Sequence, residues 1–579
     1  MQKLQGSILI LLITILKTKF MKHSLWILAI GIFLILLKVL IIDIDLPSFS
    51  IAAYQPFDEV YYIDYAMNLY KTGSVFNYDK PSVFGSKPII TNIVTYFCLL
   101  IFGNNYTGLR FSSIIFAVTS ICFLYLILKR ISNNKLFLFA GILLFSINYP
   151  FTLSNIVVEP TIARMAMALI SLYLMILWTE KENVSFHSIF ILTVICTLLW
   201  LFVYATNAFA ILALFIVILI NGNVTFKMRA KRIIPFFIGI LLSVTIYCIL
   251  CFSSGESIYE AIRRIRVHED SISLSIQPII NNLLNIFRKA NIFRLNPLIL
   301  YLFILSLTIV FIKNIKYFFK NINIIPWIFY TCFILQTLFI NDFPERKLIF
   351  LLPFVILVII QFFDITFKNV KHLTLIEKIL IINLHLILMI NIIRQTNIFN
   401  IELNIIIKIL IIIGLLFICL YFITNKYRLM VIISIFVLLF SIEVYNTYNI
   451  SLKNMTKNYK ETFQYLGNKL ENVKFIGGYS LGFTLYSSNT AYINFFSYGS
   501  KGNRFNDQLL IEKTKKLAIE SKEIDYMIAY ELDNVEIWNP QFKKLEVIMP
   551  VEKTVYNGII ANRNVVLYIE KENCEDDLE

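Results

Sequence analysis

Long apolar runs separated by short polar segments fill most of this chain. A membrane-spanning helix needs about twenty mainly apolar residues, and about thirteen runs come close to that length. The predicted spans lie near residues 25–43, 108–128, 135–150, 160–178, 187–204, 206–221, 233–252, 297–313, 324–341, 347–363, 375–393, 404–424 and 428–447. The pattern therefore predicts a polytopic α-helical membrane protein.

Two apolar segments are too short to span. Residues 88–102 are predicted to form an interfacial helix that lies on the membrane. Residues 8–16 precede a basic stretch and the first full span, which lacks a small-residue cleavage site and is therefore expected to be retained. Met21 is an alternative start of the chain.

Basic residues follow every second span, as the positive-inside rule requires when the N-terminus is inside. The basic residues of these predicted inner loops are Lys129, Arg130, Lys135, Lys181, Lys227, Arg229, Lys231, Arg232, Lys313, Lys316, Lys320, Lys368, Lys371, Lys426 and Arg428. Because the predicted number of spans is odd, the C-terminal region is placed outside.

Three segments on the predicted outer side are long, namely 44–107, 253–296 and the tail, residues 448–579. Within the tail, 474–478, 526–530 and 565–569 are typical of strands, and 509–520 has helical periodicity. We therefore expect a transmembrane domain over 1–447 and a small α/β extracytoplasmic domain over 448–579. The chain has no phosphate-loop or dinucleotide fingerprint, so no nucleotide cofactor is expected.

Composition supports a membrane protein. The chain is 58% hydrophobic and 15% charged, whereas soluble domains are about a quarter charged. In a soluble protein the net charge of +15 would suggest nucleic acid. Here most Lys and Arg lie in short loops where they set orientation, so nucleic-acid binding is a poor interpretation. The cysteines show no zinc spacing and no disulfide framework.

Asp58 and Glu59 form an acidic pair just after the first predicted span, at the head of a tyrosine-rich run that ends at Gly73. Such a pair is costly at a membrane surface unless water or a ligand solvates it. It suits proton removal from a hydroxyl whose reaction partner is dissolved in lipid. The structural alternative is a helix start, since Pro56 precedes the pair and acidic residues favour the first turn.

An ordered series of short motifs follows. The series is Asp58-Glu59, Tyr61-Tyr62, Thr72-Gly73, Lys87-Pro88, Phe102-Gly103 and Arg110. In this order it resembles the lipid-linked-sugar glycosyltransferases of the GT-C superfamily, in the branch of the protein O-mannosyltransferases and the lipid A aminoarabinose transferase. The stretch 200–207 departs from several relatives, which carry a lysine there.

The resemblance implies a role for two acidic positions. Asp58 would be the general base or would position the acceptor, with Glu59 in support. Glu159 would share a divalent metal ion with Asp58 or orient the donor. From the residues alone, Glu159 is also a common kind of helix start before Pro160.

Basic residues on the predicted outer side are candidates for binding the donor phosphate, because outer loops should be poor in Lys and Arg. The candidates are Lys87, Arg164, Arg346, Lys347, Arg263 and Arg264. Arg164 lies about one turn inside the bilayer, where a charge is usually paired, so the donor phosphate or Glu159 is its expected partner. The alternatives are snorkelling for the pair at 346–347 and binding of lipid headgroups for the pair at 263–264.

Together these features predict an inverting membrane glycosyltransferase that uses a polyprenyl-phosphate sugar and a lipid, glycan or protein acceptor. The rivals are a polysaccharide polymerase or ligase, and a transporter or flippase of lipid-linked sugars. The lack of an internal repeat and the clustering of charges at the outer surface favour the enzyme over a transporter. The expected location is the inner or plasma membrane of a bacterial cell envelope, with the N-terminus cytoplasmic.

Overall fold

The structure is a computed structural model. It describes residues 24–43, 63–73, 88–132, 134–158, 160–180, 185–203, 208–220, 226–253, 282, 291–294, 296–314, 324–339, 345–369, 411–414, 416–418, 428–448, 458–477, 484–493, 526–530, 542–549, 554–556, 559–561 and 565–570.

Most of the described residues are helical. The helices are α1 Leu25–Leu36, α2 Asp64–Thr72, α3 Ile89–Phe102, α4 Tyr106–Ile131, α5 Lys135–Ile147, α6 Tyr149–Asn155, α7 Pro160–Thr179, α8 Phe186–Val203, α9 Ala208–Ile220, α10 Phe226–Ser253, α11 Asn291–Arg294, α12 Pro297–Asn314, α13 Ile324–Phe339, α14 Leu352–Asn369, α15 Arg428–Asn446 and α16 Asn458–Lys469. Two 3-10 segments, Leu37–Ile41 and Glu345–Leu351, continue α1 and precede α14.

Five helices in the described part of the chain are long and apolar enough to cross a membrane, and six if the bent pair α5 and α6 counts as one span. Shorter apolar helices occupy several other predicted spans, among them α1, α9, α12, α13 and α14. The predicted span at 375–393 lies outside the described residues, and only 411–414 and 416–418 are described within the predicted span at 404–424. The described residues therefore show a mainly helical protein with several spans, and the count of thirteen stays a prediction.

The predicted span at 135–150 is broken. Its first helix, α5, ends at Ile147, and α6 leaves at an angle of 56°. Pro150 has no N–H and disfavours a continued helix. The Asn148 side chain accepts a hydrogen bond from Phe151 N at 3.3 Å and so caps the new helix. The chain therefore bends near the end of the predicted span, and α6 continues in a new direction.

Helix α3 has the length expected of the predicted interfacial helix. Its 14 residues extend about 21 Å, less than the roughly 30 Å of a bilayer core. It buries Thr91, Asn92 and Thr95 and exposes Phe97 and Ile101. Polar groups thus face the protein while apolar groups face outward, an arrangement that suits contact with lipid.

Two glycines shape the segment that contains the ordered motifs. Gly73 ends α2 with φ +71°, a left-handed conformation that favours glycine. Gly108 lies where α4 passes close to the preceding turn, and a Cβ there would be 2.1 Å from Gly103 O. The predicted end of the tyrosine-rich helix at Gly73 is therefore where the helix ends.

The described part of the tail contains α16 and seven strands. The strands are β1 Lys474–Gly477, β2 Thr490–Ile493, β3 Tyr526–Tyr530, β4 Phe542–Met549, β5 Thr554–Tyr556, β6 Ile559–Ala561 and β7 Val565–Glu570. Five form a mixed sheet of order β2-β1-β3-β7-β4, and β5 pairs with β6. The three predicted strands coincide with β1, β3 and β7, while the predicted helix at 509–520 lies outside the described residues.

Candidate functional site

Most of the predicted site residues lie outside the described part of the chain. These residues are Asp58, Glu59, Lys87, Glu159, Arg263 and Arg264. For Arg346 and Lys347 the structure describes the backbone, which forms the 3-10 segment Glu345–Leu351. Only Arg164 is described with its side chain. Described residues lie close in sequence to several of these positions.

One apolar core joins the segments that lead to the two predicted acidic positions. Ile63, five residues after Asp58, and Val158, directly before Glu159, both belong to it. Both side chains are at most 1% exposed. The Ser113 hydroxyl donates to Val157 O at 2.6 Å and ties the end of this segment to α4.

The segment after Lys87 is tied to the same region. Asn92 Oδ1 accepts from Ala66 N in α2 at 3.0 Å, and Asn92 Nδ2 donates to Pro88 O at 3.0 Å. A single buried amide thus links the helix that follows the acidic pair to the residue that follows Lys87. These bonds hold the start of α3 against α2.

Arg164 brings a second part of the predicted site to α7. Its guanidinium carbon lies 5.1, 5.5 and 5.8 Å from the ring centroids of Phe350, Phe333 and Phe209. A guanidinium over aromatic faces is stabilised by the cation–π interaction, which is strongest where water is excluded. Phe350 belongs to the same 3-10 segment as Arg346 and Lys347. The structure therefore places the backbone of that predicted phosphate-binding pair beside Arg164.

Two groups of described residues thus meet near the N-terminal part of α7. Val158 precedes it on the side of the acidic segments, and Arg164 lies about 6 Å further along the axis at 1.5 Å per residue from Pro160. Described neighbours of the acidic candidates, and the 3-10 segment that contains two basic candidates, thus lie near this one helix end.

Arg110, the last of the ordered motifs, has a structural explanation. It is 1% exposed, donates to Ile42 O at 2.9 Å and lies over the Tyr106 ring at 4.0 Å. The side chain thus links the end of the first span to α4. These contacts stabilise the fold, and they account for an arginine at this position.

Glu443 in α15 is a buried acidic residue that the sequence reasoning missed. Its carboxylate accepts from Tyr149 N at 2.7 Å, Asn148 Nδ2 at 3.2 Å and Asn296 Nδ2 at 2.8 Å. It holds the break between α5 and α6 to the residue that precedes α12. An acidic residue inside an apolar run was the available signal, since such residues are costly unless paired.

Lys38 is a second missed residue, buried at the end of the first span. The side chain is 7% exposed, and its ammonium nitrogen lies 5.0 Å from the Phe151 ring centroid in α6. The same rule on charges in apolar runs would have singled it out.

The metal prediction concerns residues beyond the described ones. Among the residues that the structure places, no three His, Cys, Asp or Glu side chains group closely enough to hold a metal ion. Because Asp58 and Glu159 lie outside that set, a divalent ion shared between them stays a prediction.

Comparisons with known proteins agree with this architecture. Residues 86–251 match the family described as dolichyl-phosphate-mannose-protein mannosyltransferase. The fold is similar to that of ArnT from Cupriavidus metallidurans in the apo state, with a TM-score of 0.52 and 12% identity over 88% of this chain and 93% of that chain. It is also similar to the same protein bound to undecaprenyl phosphate, with a TM-score of 0.52 and 11% identity over 95% and 98% of the two chains. Among curated protein sequences, none matches this chain significantly.

The fold is that of a multi-pass membrane protein of the ArnT kind. The predicted resemblance to the protein O-mannosyltransferase branch is confirmed over residues 86–251 by the family match, and the similarity to ArnT is a similarity of fold.

Proposed function

We propose that this protein is a membrane glycosyltransferase that takes a sugar from a polyprenyl-phosphate donor. The acceptor is a lipid, a glycan or a protein at the outer face of the inner or plasma membrane. The observation that carries the proposal is the convergence at the N-terminal part of α7. There the segments next to Asp58 and Glu159 share one core, and the segment of Arg346 and Lys347 packs against Arg164.

The convergence suits a single displacement. An acceptor hydroxyl attacks the anomeric carbon, the bond from that carbon to the phosphate oxygen breaks, and the electron pair leaves with the lipid phosphate. Asp58 takes the hydroxyl proton, with Glu59 in support. When the acceptor is itself a phosphate, Asp58 positions it and removes no proton. One inversion at the anomeric carbon follows.

Basic side chains stabilise the departing lipid phosphate. We assign this role to Lys87, Arg346 and Lys347, with Arg164 and the pair at 263–264 in support. Arg binds phosphate oxygens in a planar fork, and stabilising developing charge is usually the largest catalytic contribution. No step depends on a metal ion held by Glu159.

The substitution Asp58→Asn tests the proposal. In purified enzyme supplied with donor and acceptor, release of undecaprenyl phosphate from undecaprenyl-phosphate-linked mannose or aminoarabinose should fall at least about a hundredfold, as expected for a lost general base. Binding of undecaprenyl phosphate itself should remain, because the phosphate contacts are intact. The matched control is Glu471→Gln at an exposed tail position, which should keep full activity.

Near-wild-type turnover by the Asp58→Asn enzyme would contradict the base assignment. The rival functions give different results with the same reagents. A transporter would move the lipid-linked sugar across vesicles without releasing undecaprenyl phosphate, and a polymerase or ligase would need a lipid-linked glycan as its second substrate.

A further inference from the structure

Residues 484–489, called here the docking loop, join the tail to the membrane-embedded part of the chain. Lys71 Nζ, near the end of α2, donates to the carbonyls of Thr484 and Asn489 at 2.5 Å each. Asn104 Nδ2, in the turn between α3 and α4, donates to Thr484 O at 2.9 Å. Burial lowers the pKa of Lys71 to about 7, so its amine loses its charge near neutral pH while keeping N–H donors for these carbonyls.

Tyr486 is the tip of the docking loop. Its backbone N–H donates to Asn104 O at 3.0 Å. Its hydroxyl donates to Asp43 Oδ1 at 3.0 Å and accepts from Tyr106 N at 3.2 Å. Burial raises the pKa of the phenol, so the hydroxyl stays protonated and remains a donor. The side chain therefore bridges the end of the first span and the start of α4.

The backbone of Tyr486 is strained to make these contacts. Its φ is +62°, a conformation that side chains larger than glycine rarely adopt. Such residues persist when their surroundings over-determine them, and they concentrate where geometry matters for function. Asp43 also pairs with Lys460 of α16, so the tail holds this carboxylate from two of its elements.

The apolar core of the tail continues into the predicted site. Phe463, Leu466, Phe475, Leu485 and Leu567 of the tail form one core with Ile63, Ala66, Met67, Leu99, Tyr106, Leu109 and Val158. This core contains Val158, which directly precedes Glu159, and Ile63, which lies five residues after Asp58. The tail therefore packs against the helices that neighbour the predicted site.

We propose that Tyr486 and Lys71 are positioning residues for sugar transfer, and that the tail acts through them to fix α2, the helix that follows the predicted acidic pair in sequence. The inference rests on the proposed function. Proton removal depends on geometry, and small misplacements of a catalytic group are costly. Arg346 and Lys347, which we assign to the donor lipid phosphate, belong to a different element from α2, so we expect lipid-phosphate binding to depend little on the docking loop.

The experiment compares Tyr486→Phe with Tyr465→Phe in the full-length enzyme. Tyr465 is an exposed tyrosine of α16 whose hydroxyl bonds to Lys469 on the same helix, which makes it a matched control. Tyr486→Phe should lower kcat roughly tenfold, leave the affinity for undecaprenyl phosphate within about twofold, and speed amide exchange in the peptide covering 63–73. Tyr465→Phe should change none of these quantities.

Lys71→Met provides the second variant, because it keeps the aliphatic stem and removes the donors to the docking loop. It should reproduce the kcat loss and the faster exchange, and Lys71→Arg, which retains donors for carbonyls, should recover part of both. Full kcat in both Tyr486→Phe and Lys71→Met would overturn the proposal. Equal losses of kcat, lipid-phosphate affinity and thermal stability would also overturn it, since they indicate a purely structural role.

The two proposals fail in distinguishable ways. A wild-type enzyme that releases no undecaprenyl phosphate from the lipid-linked sugars defeats the proposed function. In that case, unchanged amide exchange at 63–73 in Tyr486→Phe and Lys71→Met defeats the positioning inference as well. Faster exchange in these variants would still support the claim that the docking loop fixes α2.

Discussion

At the scale of single residues, Arg164 shows how a charge is kept inside an apolar helix. It is 5% exposed and lies over three aromatic rings, so quadrupole attraction offsets part of the desolvation cost. One ring, Phe350, connects it to the short segment that contains Arg346. The 3-10 segment that contains Arg346 thus packs against Arg164 through Phe350.

Replacing Arg346 with Ala should weaken binding of undecaprenyl phosphate by about 1.5–3 kcal/mol, the contribution of a charge-assisted hydrogen bond. Arg346→Lys should recover only part of the loss because lysine lacks the planar fork. Titration of the purified variants with undecaprenyl phosphate measures both effects. Arg229→Ala, an exposed arginine at the start of α10, is the control, and equal affinities for the two alanine variants would favour snorkelling.

At the scale of elements, the bent pair α5 and α6 determines how the chain enters α7. Asn148 and Pro150 end one helix and begin the next, and Glu443 of α15 accepts three hydrogen bonds at and around the break. From α6 the chain passes through Val157, whose carbonyl Ser113 holds, to the start of α7. The break is therefore fixed by a residue 295 positions later in the chain.

Glu443→Ala should lower the stability of the purified protein by about 1–3 kcal/mol for each buried donor left without its acceptor. Glu443→Gln should be milder, because an amide oxygen still accepts. Thermal unfolding in detergent, followed by loss of the monodisperse peak, measures the difference. Ser441→Ala changes an exposed hydroxyl on the same helix and should leave the midpoint unchanged. A Glu443→Ala midpoint equal to that of the control would show that the network does not hold the break.

At the scale of the whole molecule, different parts of the chain contact the two opposite ends of helix α4. Helix α4 has 26 residues and is about 39 Å long. Its Tyr106 end contacts the tail through Tyr486. Its other end pairs Arg130 with Glu180, just after α7. The tail and the start of α7 therefore lie at one end, opposite the basic segment that the charge pattern assigns to the cytoplasm.

Single-cysteine labelling in a background stripped of accessible native thiols should reproduce this division. Cysteines at Lys469 and near positions 58, 159, 263 and 346 should react with an impermeant reagent in intact cells whose outer envelope admits it. Cysteines at Lys129 and Arg229 should react only after lysis. Labelling of positions 58 and 346 from opposite sides would end the shared-site interpretation and favour a transporter.

The sequence by itself determined what depends on local pattern. Apolar runs of span length predict helices because an unsatisfied backbone cannot enter lipid, and Gly73 ends a helix because its conformation favours glycine. The ordered motifs identified the GT-C resemblance, which the family match confirms over residues 86–251. The roles of Asp58, Glu159 and the basic candidates outside the described residues stay predictions.

Only the tertiary structure decided which distant groups meet. Lys71 and its carbonyl partner Thr484 are 413 residues apart, and Asn148 and Glu443 are 295 residues apart. No periodicity links such positions, because each pair depends on how many helices pack at once. Glu443 and Lys38 can be recognised in the sequence as charged residues inside apolar runs. The sequence does not show which residues they contact. The physical reason is that burial of a polar group requires a partner, while the fold alone selects which one.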